Sequence, residues 1–216
     1  MHQIYLNQKK FWQSIGWQSL LSGFLFFVLA ILVQHVAYNY IDNRASVTPV
    51  GDLLLDNLPI INLDIFIVQG SLILTLIIVY LFLIKPKYFL FSIKSLALFL
   101  IIRSFFISLT HLGVNLHQLT LNIDGVGFGI YDFLYNSKND FFFSGHVGVT
   151  FLYALILWKE TFWRNLFLIF SFIMGISMIF GHMHYSIDVF AAPFITYSIF
   201  SIAKKVFTKD FKLITG

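Results

Sequence analysis

The sequence predicts an all-α, polytopic membrane protein, with six transmembrane helices in one bundle, residues 1–216 forming a single domain and both termini cytoplasmic. Three observations predict it. The chain is 58% hydrophobic and 11% charged, whereas soluble domains run at about 45–50% apolar and about 25% charged. It contains six apolar runs that approach or exceed the roughly 20 residues needed to cross a bilayer. Its basic and acidic residues fall on opposite sides of those runs. So few charges exclude a soluble cytosolic enzyme, and 27 Phe and 10 Tyr exclude disorder. The absence of Cys removes disulfides, thiol chemistry and thiolate metal sites.

The first span covers 17–40 and follows Lys9 and Lys10. It is too long for the core of a secretory signal, and no small-x-small cleavage site follows it. The second covers 65–84, the third 88–111, the fourth 141–158, the fifth 163–180 and the sixth 185–203. None alternates as an outer-membrane barrel strand does, and a long apolar run must satisfy its own backbone, which a helix achieves. The stretch between His111 and Asp140 is the long connection. Its Gly125-Val126-Gly127-Phe128-Gly129 run either shapes a substrate entrance or lies as a re-entrant interfacial segment.

With the N-terminus inside, the cytoplasmic segments hold Lys9, Lys10, Lys85, Lys87, Lys159, Arg164, Lys204, Lys205, Lys209 and Lys212, opposed there by Glu160 and Asp210. The outer segments carry Arg44 and Lys138 against Asp42, Asp52, Asp56, Asp64, Asp124, Asp132 and Asp140. Positive residues collect on the cytoplasmic side, so an even number of spans is required. The basic tail from Lys204 to Lys212 is expected on anionic lipid. The compositional bias suggests a bacterial inner membrane with the site facing the periplasm, or the lumen in a eukaryotic membrane.

Charged groups inside spans are costly and mark function. Lys94 lies two turns into the third span, within snorkelling reach of the cytoplasmic face. Arg103 lies near its outer end. The fourth span opens on Asp140-Phe-Phe-Phe-Ser144-Gly145-His146 and the sixth on His182-Met-His184-Tyr-Ser-Ile-Asp188. The topology brings all three clusters to the outer face. Four residues apart, His184 and Asp188 share one face if helical, and the carboxylate then holds one ring nitrogen while the other attacks or abstracts a proton. His146 follows Ser-Gly at a helix start, where free N–H groups favour an anion. One His to attack phosphorus, another to protonate the leaving oxygen and a helix start to cradle the phosphoryl group describe phosphotransfer. A metal centre on His146, His182, His184 and Asp188 is the competing chemistry, but His-x-His side chains diverge on a helix. No cofactor motif occurs, and the basic clusters are too short and juxtamembrane for nucleic acid. A non-catalytic lipid transporter or a membrane scaffold are the other classes; the second and fifth spans lack the buried acid or broken helix of an ion-coupled path.

These motifs resemble the type 2 phosphatidic acid phosphatase superfamily, and within it the sphingomyelin synthase-like branch. The branch has an acidic residue four positions before the serine of Ser-Gly-His, where Asp140 stands, and a His-x-His-Tyr-Ser/Thr-x-Asp motif, matched by His182 to Asp188. Pro49, Asp52, Asp56 and Pro59 fit its Pro-x-x-Asp-x-x-x-Asp-x-x-Pro pattern, and Arg103-Ser104 with Thr110 is similar to its third-helix motif. Where the broader superfamily carries Arg six residues before the second His, this chain has Met178. Its upstream Lys…Arg-Pro motif is missing too, as in the branch. The resemblance implies His146, His184 and Asp188 as catalytic residues, with Asp140, Ser144 and Gly145 beside them at the substrate and no cofactor or metal; it leaves open what neutralises the phosphate, for which Arg103 and Lys138 are the candidates. It implies a phospholipid donor and a ceramide, another lipid alcohol or water as acceptor, which leaves transferase and hydrolase both open.

Overall fold

The computed structural model describes residues 8–9, 11–13, 15–44, 49–110, 112–135 and 140–215. Among these, helices alternate with turns and loops, and there is no strand. From Trp17 onwards the helices are, in chain order, α1 (Trp17–Asp42), α2 (Asp64–Ile84), α3 (Phe89–Leu109), α4 (Phe128–Tyr135), α5 (Gly145–Ile156), α6 (Thr161–Phe180), α7 (Ser186–Val206) and α8 (Thr208–Thr215). A 3-10 turn at Pro86–Tyr88 leads into α3, with Pro at its start, where a missing N–H costs nothing.

Five of these are long and apolar enough to cross a membrane: α1, α2, α3 with its leading turn, α6 and α7. The fourth expected span departs from the reading over 141–158, because only Gly145–Ile156, 12 residues, is helical there. That is about 18 Å of helix. The Phe run ahead of it is held open by side chains that capture its carbonyls. Thr110 Oγ1 donates to Phe141 O, and Arg103 Nε donates to Phe143 O. Between them Phe142 takes a positive φ of 120°, which an L side chain rarely adopts.

The short helix α5 lies at the centre, packed against α6, α7 and α3. Its Gly148 is a close-approach position: a Cβ there would come within 2.7 Å of the Phe99 ring on α3 and 3.0 Å of Thr196 Oγ1 on α7. Around it, Phe91, Phe99, Phe143 and Phe167 are fully buried, and Phe99 meets Phe143 edge-on at 5.5 Å. Helix α1 lies outside this core and packs on α3. Its buried residues Gly23, Ala30 and Ala37 recur every seventh position, so small side chains let the two backbones approach.

Successive traverses gather polar residues at two ends. One, the histidine end, brings Ile61 N–H to Phe180 O at 2.9 Å and Leu119 N–H to Gly181 O at 2.8 Å. At the other, the lysine end, Lys85 pairs with Glu160. Lys94 does not snorkel outwards as expected: its ammonium is buried and meets Asp210 of α8 at 2.7 Å. Helix α8 folds back and brings the counter-charge to the lysine, so the lysine has no need to reach water.

Candidate functional site

The approach to α7 is a tightly fixed turn. His182 has a positive φ of 51°, and Met183 N–H returns to Met178 O at 2.9 Å. Helix α7 starts only at Ser186, with Tyr185 extended at its cap. His184 therefore precedes the helix, which corrects the expectation that it shares a helical face with Asp188. The two still meet, His184 Nδ1 lying 3.4 Å from Asp188 Oδ2, because the turn swings the ring over the first helical residues. Both side chains are buried, and Phe141 lies edge-on to the His184 ring at 6.0 Å. With Nδ1 facing the carboxylate, Nε2 is the nitrogen left for chemistry.

A loop far upstream fixes this turn. Asp52 Oδ2 accepts the Ser186 N–H at 2.6 Å, while its Oδ1 accepts the N–H groups of Leu54 and Leu55. Asp56 in turn accepts the Asp52 N–H at 3.0 Å. Tyr185 donates its hydroxyl to Gly113 O at 2.7 Å and accepts the Val50 N–H at 3.2 Å. Burial alone would raise the Asp52 carboxyl; the N–H groups of Ser186, Leu55 and Leu54 outweigh it and hold the group below the ordinary carboxylate value. The Asp52/Asp56 pattern thus has a physical task, capping α7 with a carboxylate at the positive end of its dipole.

Ser144 caps α5 at its backbone, and its N–H donates to Asp188 O at 2.9 Å, joining the two motif segments directly. The Ser144 side chain is fully buried. Gly145 allows the Arg103 guanidinium to lie against the helix start, where a Cβ would fall 3.2 Å from Arg103 Cζ. Arg103 is buried and meets Asp140 Oδ1 at 2.7 Å through Nη2. Tyr38 on α1 completes the group, donating to Asp140 Oδ2 at 3.2 Å and accepting from Arg103 Nη1 at 3.4 Å and Gln34 Nε2 at 2.7 Å. His146 Nε2 lies 3.1 Å from the Tyr131 hydroxyl of α4.

A cavity of about 340 Å³ opens from this cluster. Arg103, Asp140, Gly145 and His146 form one end, and Tyr38, Gln34 and Thr75 line it nearby. The remainder is apolar, with Phe27 and Ile31 of α1, Ile78 and Phe82 of α2, Ile93, Leu96, Phe99 and Leu100 of α3, and Val149 and Tyr153 of α5. His184 and Asp188 are not among the residues that line it; Asp188 is joined to this wall through the Ser144 N–H on its carbonyl. Lys138, the other cation expected to face phosphate, is outside the described residues. Tyr38, Tyr131 and the capping role of Asp52 were not foreseen. The Asp52 spacing was visible, but its partner is 134 residues away. A single Tyr in an aromatic-rich span carries no such signal.

Residues 139–205 match the family model described as PAP2 superfamily C-terminal. The match holds both motif segments within less than half of the chain. It supports the type 2 phosphatidic acid phosphatase superfamily, whose members are phosphatases or phosphotransferases, and so supports enzymatic activity of that kind. Together with the apolar helices it suggests an integral membrane protein. No curated protein and no solved structure matches the chain.

Proposed function

We propose that the protein is an integral-membrane lipid phosphotransferase of the sphingomyelin synthase-like type, acting on phospholipid headgroups through a phospho-histidine. The observation that carries this reading is the cavity: cationic and imidazole groups at one end and an apolar slot leading from it complement an amphiphile with a phosphodiester head. In the first step the phosphoryl group passes beyond the residues lining the cavity to reach His184, whose Nε2 attacks phosphorus; the bond from phosphorus to the glyceride oxygen breaks, and His146 gives that oxygen a proton. Asp188 steadies the positive charge on His184. In the second step His146 takes the proton of an acceptor hydroxyl, whose oxygen attacks phosphorus and releases His184. The acceptor is ceramide or another lipid alcohol; water in its place makes the same enzyme a phosphatase or phospholipase C-like hydrolase. Arg103 offers its charge to the phosphoryl oxygens in competition with Asp140, and the α5 N-terminus adds the positive end of its dipole. The charge distribution supports an orientation with the lysine end cytoplasmic and the site on the periplasmic side of a bacterial inner membrane.

The test is incubation in mixed micelles with labelled phosphatidylcholine, phosphatidylethanolamine and phosphatidate, with and without ceramide, followed by lipid separation. A headgroup transferred only when ceramide is present supports the transferase, and release with water alone selects the hydrolase. His184→Ala is expected to abolish either product while the protein stays folded in membranes; full turnover in that variant would sink the mechanism.

A further inference from the structure

A second cavity, of about 380 Å³, lies at the lysine end. Its floor is Leu155 and Ile156 from α5, Phe200 from α7 and Phe211 and Ile214 from α8, and Lys159 and Lys204 stand among its polar residues. From Ser186 to Lys204, α7 rises roughly 27 Å, so this cavity is remote from the histidine end. Both acidic residues described at the lysine end are already committed, Glu160 to Lys85 and Asp210 to Lys94. Lys159 donates to Thr215 O, and the Lys204 ammonium lies 4.9 Å from the centre of the Phe200 ring. Neither contact neutralises a charge. Exposed Trp158 and Tyr197 also line the cavity, and such rings favour the boundary between apolar and polar layers.

We propose that this cavity is a binding site for an anionic phospholipid of the surrounding bilayer, with the phosphate between Lys159 and Lys204 and an acyl chain along Leu155, Phe200, Phe211 and Ile214. Charge complementarity selects an anion, because the protein supplies two ammonium groups and no free carboxylate among the described residues there. The apolar floor selects an amphiphile over a soluble phosphate, whose oxygens would meet aromatic and aliphatic carbon. An occupant wedged there touches α5, α7 and α8 together and ties the carboxy-terminal helix to the bundle.

Trp158 provides a reporter. In a full-length Trp12→Phe/Trp17→Phe/Trp163→Phe variant it is the sole tryptophan, and lipids brominated on the acyl chain quench it on contact. The protein is placed in phosphatidylcholine vesicles with rising fractions of brominated phosphatidylglycerol, or of brominated phosphatidylcholine as reference. Half-quenching is expected at about fivefold lower mole fraction for phosphatidylglycerol. Lys159→Gln/Lys204→Gln should bring the two curves together, whereas Lys205→Gln/Lys209→Gln should leave the preference standing. Coincident curves in the parent variant overturn the proposal. So does a preference that survives loss of Lys159 and Lys204, or one lost with Lys205 and Lys209, which would mean diffuse surface attraction. If the tryptophan variant fails to fold, native mass spectrometry of the unmodified chain with both lipids, with and without the two glutamine substitutions, reads the same preference.

Discussion

The Asp52 carboxylate takes the backbone N–H of Ser186 at 2.6 Å, so a loop before α2 governs the start of α7. Removing it frees the turn that carries His184. Asp52→Ala is expected to cost about 1–2 kcal/mol of stability, as loss of a helix cap does, and to lower kcat with little change in KM, because the cavity is untouched. Asp52→Asn keeps an oxygen acceptor and should recover most of the rate. Steady-state kinetics of both variants decide the matter; an unchanged kcat in Asp52→Ala would reduce the loop to a spacer.

The same carboxylate sets an acid limit. Its folded-state value lies below the ordinary 3.8. The stability it contributes is therefore complete above about pH 4 and is lost as pH falls through the lower folded value. Thermal unfolding midpoints in detergent, followed downwards from neutrality, should drop in that acid range more steeply for the parent protein than for Asp52→Asn. Parallel curves would assign the acid loss to other carboxylates.

Tyr131 is the hydroxyl bound to His146 Nε2. Tyr131→Phe keeps the ring against Phe128 and loses the hydrogen bond to His146, worth about 1 kcal/mol. About a fivefold fall in kcat is expected, with a displaced pH–rate profile and a fall of only about 2–4 °C in melting temperature. A lower melting temperature with an unmoved pH profile would make Tyr131 a packing residue only.

Buried Arg103 pairs with Asp140, which keeps only a small part of its side chain exposed. Arg103→Ala strands the carboxylate and should destabilise the protein by about 3–5 kcal/mol. Arg103→Met with Asp140→Leu removes both charges and should regain much of that stability while remaining inactive, since no guanidinium meets the phosphoryl group. Unfolding midpoints and turnover, measured on the same preparations, separate the two effects. Turnover in the double variant would show that another cation serves the substrate.

Run length was enough to place five of the spans: the stretch expected over 17–40 is helical over Trp17–Asp42, and that over 65–84 over Asp64–Ile84. It failed at Phe141 to Ser144, where hydropathy favours a span but the carbonyls are claimed by Thr110 and Arg103. Those claims are long-range and leave no mark on local composition. Spacing brought His184 and Asp188 together, although the helix invoked to do so begins two residues late. The loop holding Gly125 and Gly127 concealed α4 because its apolar stretch, Phe128–Tyr135, is only eight residues long. Lys94 was read from its own position; its partner on α8 becomes visible only after the chain has folded back.

The brevity of α5 has an electrical consequence. Its far end turns at Leu157 beside Trp158, at the lysine end. Twelve residues of helix reach about 18 Å, so in the proposed orientation, across a hydrocarbon layer of about 30 Å, its amino terminus would stop roughly 12 Å short of the opposite surface. At that depth little water would screen the positive end of the helix dipole at Gly145, and dissolved salt would hardly penetrate. On the proposed function, the pull on an incoming phosphate would then be set by the protein rather than by the ionic strength outside.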